Sequence, residues 1–302
     1  MIEFRSFQKR LTEELANIEA GIVELWRKSG IGEFHNDPYS GVVFITHQYH
    51  WKPLAPEHRD AQAKLLARNR HWCELFNRCY AQHGSDVLRD IKETNDYVTS
   101  AIELQTGWAT DATVDQNAVY LAKKLSVFRQ LLAHSAINAP EFVLVPDTNV
   151  LVNSADPAQY ADLIGSKSFR FVIAPTVLAE LDELKRLRAA QSIGVKADKA
   201  IRVIKGWRKQ GSVLEGVTVS KTITVQMIPS EPRMADLPSW LDPDNQDDRI
   251  IGTVLEMQCA QPAAVIILVT DDMNLQNKAE MAFLPWAEPP EPVSNPVTAP
   301  GT

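Results

Sequence analysis

VLVPDTNV, the sequence of residues 143–150, is the most informative stretch of the 302-residue chain. Its apolar start predicts a short buried strand that ends at Pro146, and Asp147 follows directly. This places a carboxylate at the carboxyl end of a strand, where open α/β sheets bind their ligands. Asp147 can also be explained as the cap of the next helix, because aspartate is a favoured N-cap residue.

From this stretch to residue 286 the chain alternates between predicted strands and predicted helices. The strands are expected near residues 142–146, 170–174, 222–228 and 264–270. The helices are expected near residues 148–154, 157–165, 175–190, 195–210, 246–259 and 273–282. Such alternation is typical of a parallel sheet with helices on both faces. We therefore expect an α/β domain over residues 142–286, with three α/β/α layers and a central parallel sheet.

The N-terminal part of the chain has a different pattern. Four segments with apolar residues at three- and four-residue spacing predict helices. They lie near residues 2–28, 57–83, 85–105 and 114–134. Residues 1–135 are therefore expected to form an all-α domain, which can select substrate, bind a partner or inhibitor protein, or form a homo-oligomer. Residues 136–141 are expected to be a linker, and the Pro-rich residues 287–302 a disordered tail.

The composition narrows the class of protein. No apolar run approaches the length of a bilayer span, and the N-terminal residues lack the apolar core of a signal peptide. Three scattered cysteines are too few for a disulfide framework or a zinc site, so we expect a cytoplasmic protein. The formal net charge is −7, so nucleic acid would have to bind a local basic surface.

The second acidic position is Glu180, in a predicted helix. On a helical wheel Glu180 lies on the same side as Leu184. Burying an unpaired carboxylate is costly, so an acid on an apolar face favours a bound cation. A tilted helix that leaves Glu180 at its rim is the alternative.

Two pairs of adjacent aspartates supply the third and fourth acidic positions. Asp247 and Asp248 begin a predicted helix, where the helix dipole alone favours negative charge. Asp271 and Asp272 follow the apolar strand VIILV at its carboxyl end. Two strand ends and two helices would thus direct carboxylates into one crevice.

A cluster of carboxylates in one crevice predicts a divalent metal site. Like charges held together raise one another's pKa unless a cation lies between them. Oxygen ligands without histidine or cysteine suit Mg²⁺ or Mn²⁺ rather than zinc. Metal ions bound in this way activate water for phosphodiester hydrolysis, so we expect the chemistry of a nuclease.

A basic run separates the second and third acidic positions. It is interrupted by a single acid, Asp198, and it contains Trp207. Such a run is typical of a surface that follows phosphates, with an aromatic ring available for stacking, but it can equally be a solvated helix face. The run also includes Lys185, Arg186, Arg188 and Lys209. The candidate nucleic-acid-binding residues are Lys196, Lys199, Arg202, Lys205 and Arg208.

Two other patterns, both in the N-terminal part, have ordinary explanations. His47 and His50 are spaced like metal ligands, but no cysteine or acid accompanies them at motif spacing. Arg129 and His134 have the R-x-x-x-x-H spacing of a class of helical ribonuclease domains. Basic residues near the end of a helix also suit its dipole.

Four segments, VPDTNVLV, VLAELDELK, DDRIIGTVLE and ILVTDDMNLQNKA, occur in this order and resemble the PIN domain family over about residues 145–285. PIN domains are α/β/α nucleases, most of which act on RNA with Mg²⁺ or Mn²⁺. The resemblance implies that the catalytic metal ligands are Asp147, Glu180, Asp248 and Asp272. Supporting positions are Asn149, Asp247, Thr270, Asp271 and Asn274, and Asp247 and Asp271 are adjacent alternatives as ligands.

The resemblance and the acidic cluster together predict a metal-dependent endoribonuclease that acts on single-stranded RNA. One alternative is a flap or single-strand DNA nuclease with the same acids, because the metal chemistry does not detect the 2′-hydroxyl. A second is a nucleic-acid-binding scaffold that does not cleave. The presence of all four acidic positions favours an enzyme. The added helical domain distinguishes the chain from the small PIN ribonuclease toxins.

Overall fold

The computed structural model describes residues 4–33, 49–105, 110–135, 141–187, 192–233 and 237–290. The chain divides into two compact units. One comprises Gln8–Ile137, and the other comprises Asn138–Thr302 together with Met1–Phe7. Most of the predicted linker and most of the predicted tail lie outside the described residues. Among the helices that are described, none is both long enough and apolar enough to cross a membrane.

The first unit is built mainly from four helices. They are α1 (Phe7–Ser29), α2 (Arg59–Tyr80), α3 (Ser85–Ile102) and α4 (Val114–His134), with a 3₁₀ turn at Pro56–His58. Trp72 is fully buried and stacks on Phe76 with ring centroids 4.7 Å apart. The indole N–H of Trp72 donates to the carbonyl of Leu11 over 2.9 Å. Buried aromatic rings of this kind supply much of a small core and keep their polar atoms satisfied.

A short antiparallel pair of strands accompanies these helices. β1 (Ile31–Glu33) pairs with β2 (Tyr49–Trp51). An all-α domain was predicted here, with one possible short strand at residues 42–46, which lie outside the described residues. β1 and β2 were not predicted, because three-residue strands are too short to show an alternating pattern. The helical character of the N-terminal region is confirmed, with this small sheet as an addition.

The second unit contains a six-stranded sheet with flanking helices. Its strands are β3 (Phe142–Pro146), β4 (Phe169–Ile173), β5 (Val217–Ser220), β6 (Ile223–Met227), β7 (Val265–Val269) and β8 (Trp286–Ala287). Its helices are α5 (Thr148–Asn153), α6 (Ala161–Ile164), α7 (Pro175–Leu187), α8 (Ser192–Arg208), α9 (Gln246–Ala260) and α10 (Met273–Met281), with a 3₁₀ turn at Pro157–Tyr160. The order across the sheet is β5-β6-β4-β3-β7-β8. Neighbouring strands are parallel, except that β5 is antiparallel to β6.

The predicted α/β class is confirmed, but the sheet is mixed rather than purely parallel. The strand expected near 222–228 is β6, and the edge strands β5 and β8 were not expected. β8 is two residues long and β5 is four, so neither carries a readable pattern. The antiparallel strand lies at one edge, which is a common variation in α/β sheets.

The two central strands of the sheet position the acidic residues. β3 and β7 pair along their whole length, from Phe142 opposite Val265 to Pro146 opposite Val269. The amide of Asp147 then donates to the carbonyl of Val269 over 3.0 Å. Because both strands end at the same level, the residues that follow them start from one edge of the sheet.

Candidate active site

Acidic side chains from four helices and strand ends line one cavity of about 320 Å³ at the carboxyl edge of the sheet. Asp147 and Asp272 follow β3 and β7, Glu180 lies on α7, and Asp247 lies in the first turn of α9. Glu183 is an exposed fifth acid on the lining. The structure therefore brings together three of the four predicted ligands, and Asp247 in place of Asp248.

Asp147 is buried and is held from two directions. One carboxylate oxygen accepts the amide of Val150 over 2.7 Å, so Asp147 is the N-cap of α5. The other oxygen accepts the hydroxyl of Thr270. Asp147 thus both caps α5 and lines the cavity. Burial raises the pKa of Asp147 to about 6, and the nearby carboxylates of Asp271 and Asp272 add to the shift.

Glu180 is half-buried on the cavity side of α7, as its place beside Leu184 on the helical wheel predicted. Its carboxylate accepts the hydroxyl of Thr148, the first residue of α5. Burial raises the pKa of Glu180, and the carboxylate of Asp247 raises it further. The sequence analysis did not identify Thr148, although its position directly after Asp147 is a signal that could have done so.

Asp247 and Asp248 are adjacent in sequence but have different environments. Asp247 lines the cavity, and burial raises its pKa. Asp248 is buried and is not among the lining residues. One of its oxygens accepts the amide of Asp242 over 2.9 Å, and the other lies 2.7 Å from Nζ of Lys278, as an ion pair without hydrogen-bond alignment. Asp248 was predicted to be a metal ligand, yet it is already paired with an internal cation.

Asp271 and Asp272 also diverge. Asp272 lines the cavity and caps α10, since it accepts the amides of Asn274 and Leu275 over 2.7 and 3.1 Å. Asp271 is exposed and is not among the lining residues. The backbone amide of Asp272 donates to the hydroxyl oxygen of Thr270 over 3.0 Å, so this buried hydroxyl contacts both strand ends.

The remaining supporting positions differ in what they contribute. Asn149 is exposed and lines the cavity, whereas the side chain of Asn274 is exposed and its backbone amide binds Asp272. Glu231 and Arg249 form an adjacent pair that the sequence analysis missed. Arg249 donates to both Glu231 oxygens over 2.8 and 2.6 Å, and Glu231 also accepts the hydroxyl of Thr176 over 2.8 Å.

The donor set of the cavity fits a hard divalent cation. Asp147, Glu180, Asp247 and Asp272 present only oxygen atoms, which suits Mg²⁺ or Mn²⁺. Burial raises the pKa of Asp147, Glu180 and Asp247, and neighbouring carboxylates add to each shift, so a bound cation would stabilise their charged forms. Within the described residues, no three acidic, histidine or cysteine side chains converge closely enough to hold an ion as they stand.

Residues 144–286 match the family model of the PIN domain. The chain contains a PIN domain. This is a nuclease-family fold, and the resemblance seen in the four acidic segments is confirmed.

Two known proteins are similar to parts of the chain. Transcriptional protein SWT1 of Homo sapiens is 25% identical over 237 residues, which cover 76% of this chain and 24% of that protein. The chain thus spans about a quarter of the length of this relative. A solved structure, a domain of a functionally unknown protein from Methanocaldococcus jannaschii DSM 2661, aligns with 54% of this chain and 99% of that domain, at 18% identity and a TM-score of 0.33.

The basic run of the PIN domain lies largely on α8 and is divided between faces. Lys196 and Lys199 line a second cavity, beside α5. Arg202 pairs with Asp198, which also accepts Lys185 over 2.7 Å. Lys205 and Arg208 are exposed and lie outside the lining of both cavities described so far, while Arg188 falls outside the described residues. Trp207 lines the same second cavity as Lys196 and Lys199 but is 5% exposed, so little of its ring is accessible for stacking.

The two patterns in the N-terminal unit do not form a composite site among the described residues. Arg129 binds Glu19 and the carbonyl of Ala122, whereas Nδ1 of His134 lies 2.6 Å from the carbonyl of Gln130. These contacts hold the two side chains to separate partners. His47, one half of the predicted histidine pair, lies outside the described residues.

Proposed function

We propose that this chain is a metal-dependent endoribonuclease that hydrolyses single-stranded RNA at the acidic cavity. The observation that carries the proposal is the position of Asp147, Glu180, Asp247 and Asp272 on one cavity at the carboxyl edge of a PIN-domain sheet. The assignment to RNA is supported by the PIN family, most of whose members act on RNA. The three free cysteines fit a reducing cytoplasm.

These four carboxylates would hold Mg²⁺ or Mn²⁺. When bound, the metal supplies an activated water and neutralises the charge that develops on the phosphate. The chain itself fixes the ligands in advance. The amide of Val150 and the hydroxyl of Thr270 orient Asp147, and the hydroxyl of Thr148 orients Glu180. Pre-orientation of this kind lowers the cost of bringing ligands together when the metal binds.

Asp248 and Lys278 have a structural part in this proposal. Their ion pair fixes the start of α9 against α10 and so holds Asp247 toward the cavity. Lys278 also places its ammonium group near Asp247, at 3.8 Å between Nζ and Oδ2. We therefore assign Asp247 as the third metal ligand and Asp248 as the residue that positions it.

The test is a cleavage assay with the purified full chain. Labelled single-stranded RNA and DNA of the same sequence are incubated with Mg²⁺, Mn²⁺ or EDTA. We expect cleavage of RNA at internal bonds in Mg²⁺ or Mn²⁺, and none in EDTA. Glu180→Gln should abolish cleavage, and Asp182→Asn, which changes an exposed acid of the same helix, should not.

Three other outcomes would contradict the proposal. Cleavage of DNA but not of RNA would make it a DNA nuclease with the same acids. Binding of RNA without cleavage under any metal condition would make it a scaffold. Cleavage by Glu180→Gln at the wild-type rate would show that the acidic cavity is not the active site.

A further inference from the structure

The second cavity of the PIN domain, which we call the α5–α8 cavity, has the size of a ligand pocket. Its volume is about 410 Å³, within the usual range of about 300–1,000 Å³. Residues 151–159 form one wall, and one face of α8, including Val203 and Trp207, forms another. Ser220 and Ile223, from β5 and β6, complete the lining. None of its described lining residues also lines the acidic cavity.

The charged groups of the α5–α8 cavity favour an anionic ligand. Lys196 and Lys199, one turn apart on α8, are exposed at the cavity. Nζ of Lys196 donates to the side chain of Asn153 over 3.2 Å, and Lys199 has no charged or hydrogen-bonded partner among the described residues. The only carboxylate among the described lining residues is Asp156, which accepts the amide of Ala158 over 3.1 Å and caps a 3₁₀ turn. Two ammonium groups therefore face the cavity, and only one carboxylate among the described lining residues can offset their positive charge.

The uncharged lining favours a flat ring with polar edges. Apolar side chains, among them Leu151 and Val203, lie beside amides that can both donate and accept, such as Asn153 and Gln210. Nucleobases combine apolar faces with hydrogen-bonding edges, and these edges are accessible when the strand is single. A nucleotide has both such a ring and a negatively charged phosphate, which Lys196 and Lys199 can bind.

Helix α5 connects the two cavities. Asp147, Thr148 and Asn149 line the acidic cavity, and Leu151–Asn153 line the α5–α8 cavity. From Asp147 to Asn153 the helix advances about 9 Å. A strand with bases about 3.4 Å apart covers that distance with about three nucleotides. One RNA strand is therefore long enough to span the length of α5 between the residues that line the two cavities.

We infer that the α5–α8 cavity is a nucleoside-binding subsite for single-stranded RNA, which holds a base close to the bond that is cleaved. The inference rests on the proposed function and extends it. The cavity supplies an anchor outside the acidic cavity, where phosphate is repelled until a metal is bound. At this cavity the enzyme can also distinguish one base from another.

The first test measures RNA binding in the Asp147→Asn background, which is expected to bind RNA without cleaving it. Fluorescence anisotropy with a labelled single-stranded RNA is recorded across a KCl series. Adding Lys196→Ala and Lys199→Ala should weaken binding at low salt by at least about tenfold and lower the log–log salt slope by about 1.4 units, about 0.7 for each phosphate contact.

A matched control removes the same charge from elsewhere on α8. Arg202→Ala with Lys205→Ala should change the slope by less than half as much, because Arg202 is already paired with Asp198. All four side chains are exposed, so each variant should unfold at the temperature of its parent. Equal losses in the two double variants, or no loss in either, would overturn the subsite.

The second test places an abasic nucleotide at successive positions of the RNA and measures cleavage by the wild-type chain. We expect KM to rise sharply at one position, within about three nucleotides of the cleaved bond. Asn153→Ala should remove that positional penalty. A uniform response at every position would show that the cavity does not hold a base.

The outcomes separate the inference from the proposed function. If the wild-type chain cleaves RNA but the two double variants bind RNA with equal affinity and equal salt dependence, the subsite is wrong and the nuclease assignment stands. If the wild-type chain neither binds nor cleaves RNA, both are wrong.

Discussion

Nζ of Lys278 lies 2.7 Å from Oδ1 of Asp248, and both side chains are largely buried at the junction of α9 and α10. The same ammonium lies 3.4 Å from the side-chain oxygen of Asn245, which caps α9. A cation supplied by the chain is therefore built into the edge of an acidic cavity. It removes one aspartate from the set of metal ligands and fixes the helix that carries its neighbour.

Replacing either member of this ion pair should destabilise the fold. Removing one partner of a buried pair leaves an uncompensated charge, and because Lys278 retains some exposure we expect a loss of about 2 kcal/mol for Lys278→Met or Asp248→Asn. The double variant should lose less than the sum, with a coupling of about 1 kcal/mol or more in urea unfolding. Lys209→Met, at an exposed lysine, is the control and should cost little. Strictly additive losses would contradict the pairing.

Asp247→Asn and Asp248→Asn should differ in their effect on metal binding. Asp247 lines the cavity, so its substitution should weaken Mn²⁺ binding in calorimetric titration by at least about tenfold. Asp248→Asn should leave most of the Mn²⁺ affinity and lower the stability instead. The ranking expected from the resemblance alone was the reverse, so the calorimetric comparison decides between the two assignments. Equal effects on Mn²⁺ affinity would mean that both aspartates coordinate.

Asp147→Asn should stabilise the metal-free protein at neutral pH. Burial raises the pKa of Asp147 from 3.8 to about 6, so the folded state binds this proton more tightly than the unfolded state. The resulting stability is full below the unfolded pKa and is lost as the pH rises through about 6. Asparagine does not titrate, so above that pH the variant should gain up to about 3 kcal/mol.

Denaturant unfolding in EDTA, recorded from about pH 4 to about pH 8, measures this effect. The stability of the wild-type chain should fall more steeply with rising pH than that of Asp147→Asn. Parallel curves would show that Asp147 titrates normally. Addition of Mn²⁺ should reverse the order of stability at neutral pH, since only the wild-type chain keeps the full ligand charge.

Glu231→Gln should have the opposite pH dependence. Hydrogen bonds from Arg249 lower the pKa of Glu231, and the hydroxyl of Thr176 adds to the effect. A lowered carboxylate pKa gives stability that is present above the unfolded pKa and is lost as the pH falls. The variant should therefore be about 1 kcal/mol less stable at neutral pH and equal to the wild-type chain in acid. The series must extend to about pH 2, below the pKa of an unfolded glutamate. A difference that stays constant down to that pH would assign the loss to packing.

The order and type of most secondary structure in the PIN domain could be predicted from the sequence. β3 and β7 are nearly continuous apolar runs, which buried parallel strands require. The choice within each aspartate pair could not be predicted in this way. Adjacent helical residues point about 100° apart, and which one faces the cavity depends on how α9 is anchored by Asn245, Asp242 and Lys278.

The burial of Trp207 also could not be predicted from the sequence. The basic residues around Trp207 in the sequence predicted an exposed ring. Its burial depends instead on the elements that pack against α8. One of these is the end of α5, which is distant from Trp207 in sequence, and another is the nearby strand β5. Lys196 and Lys199 were singled out by charge alone. Their position on a cavity depends on the packing of α5 against α8, which charge alone does not predict.

The hydroxyl of Thr270 binds Asp147 across 123 residues of sequence, and this separation has a consequence during synthesis of the chain. On the ribosome, Asp147 emerges long before β7 and Asp272 are translated. A nascent chain that ends before Val265 lacks β7, the strand next to β3, and it also lacks the Thr270 hydroxyl with its contacts to Asp147 and Asp272. The proposed nuclease site is therefore assembled only when nearly the whole domain has been made.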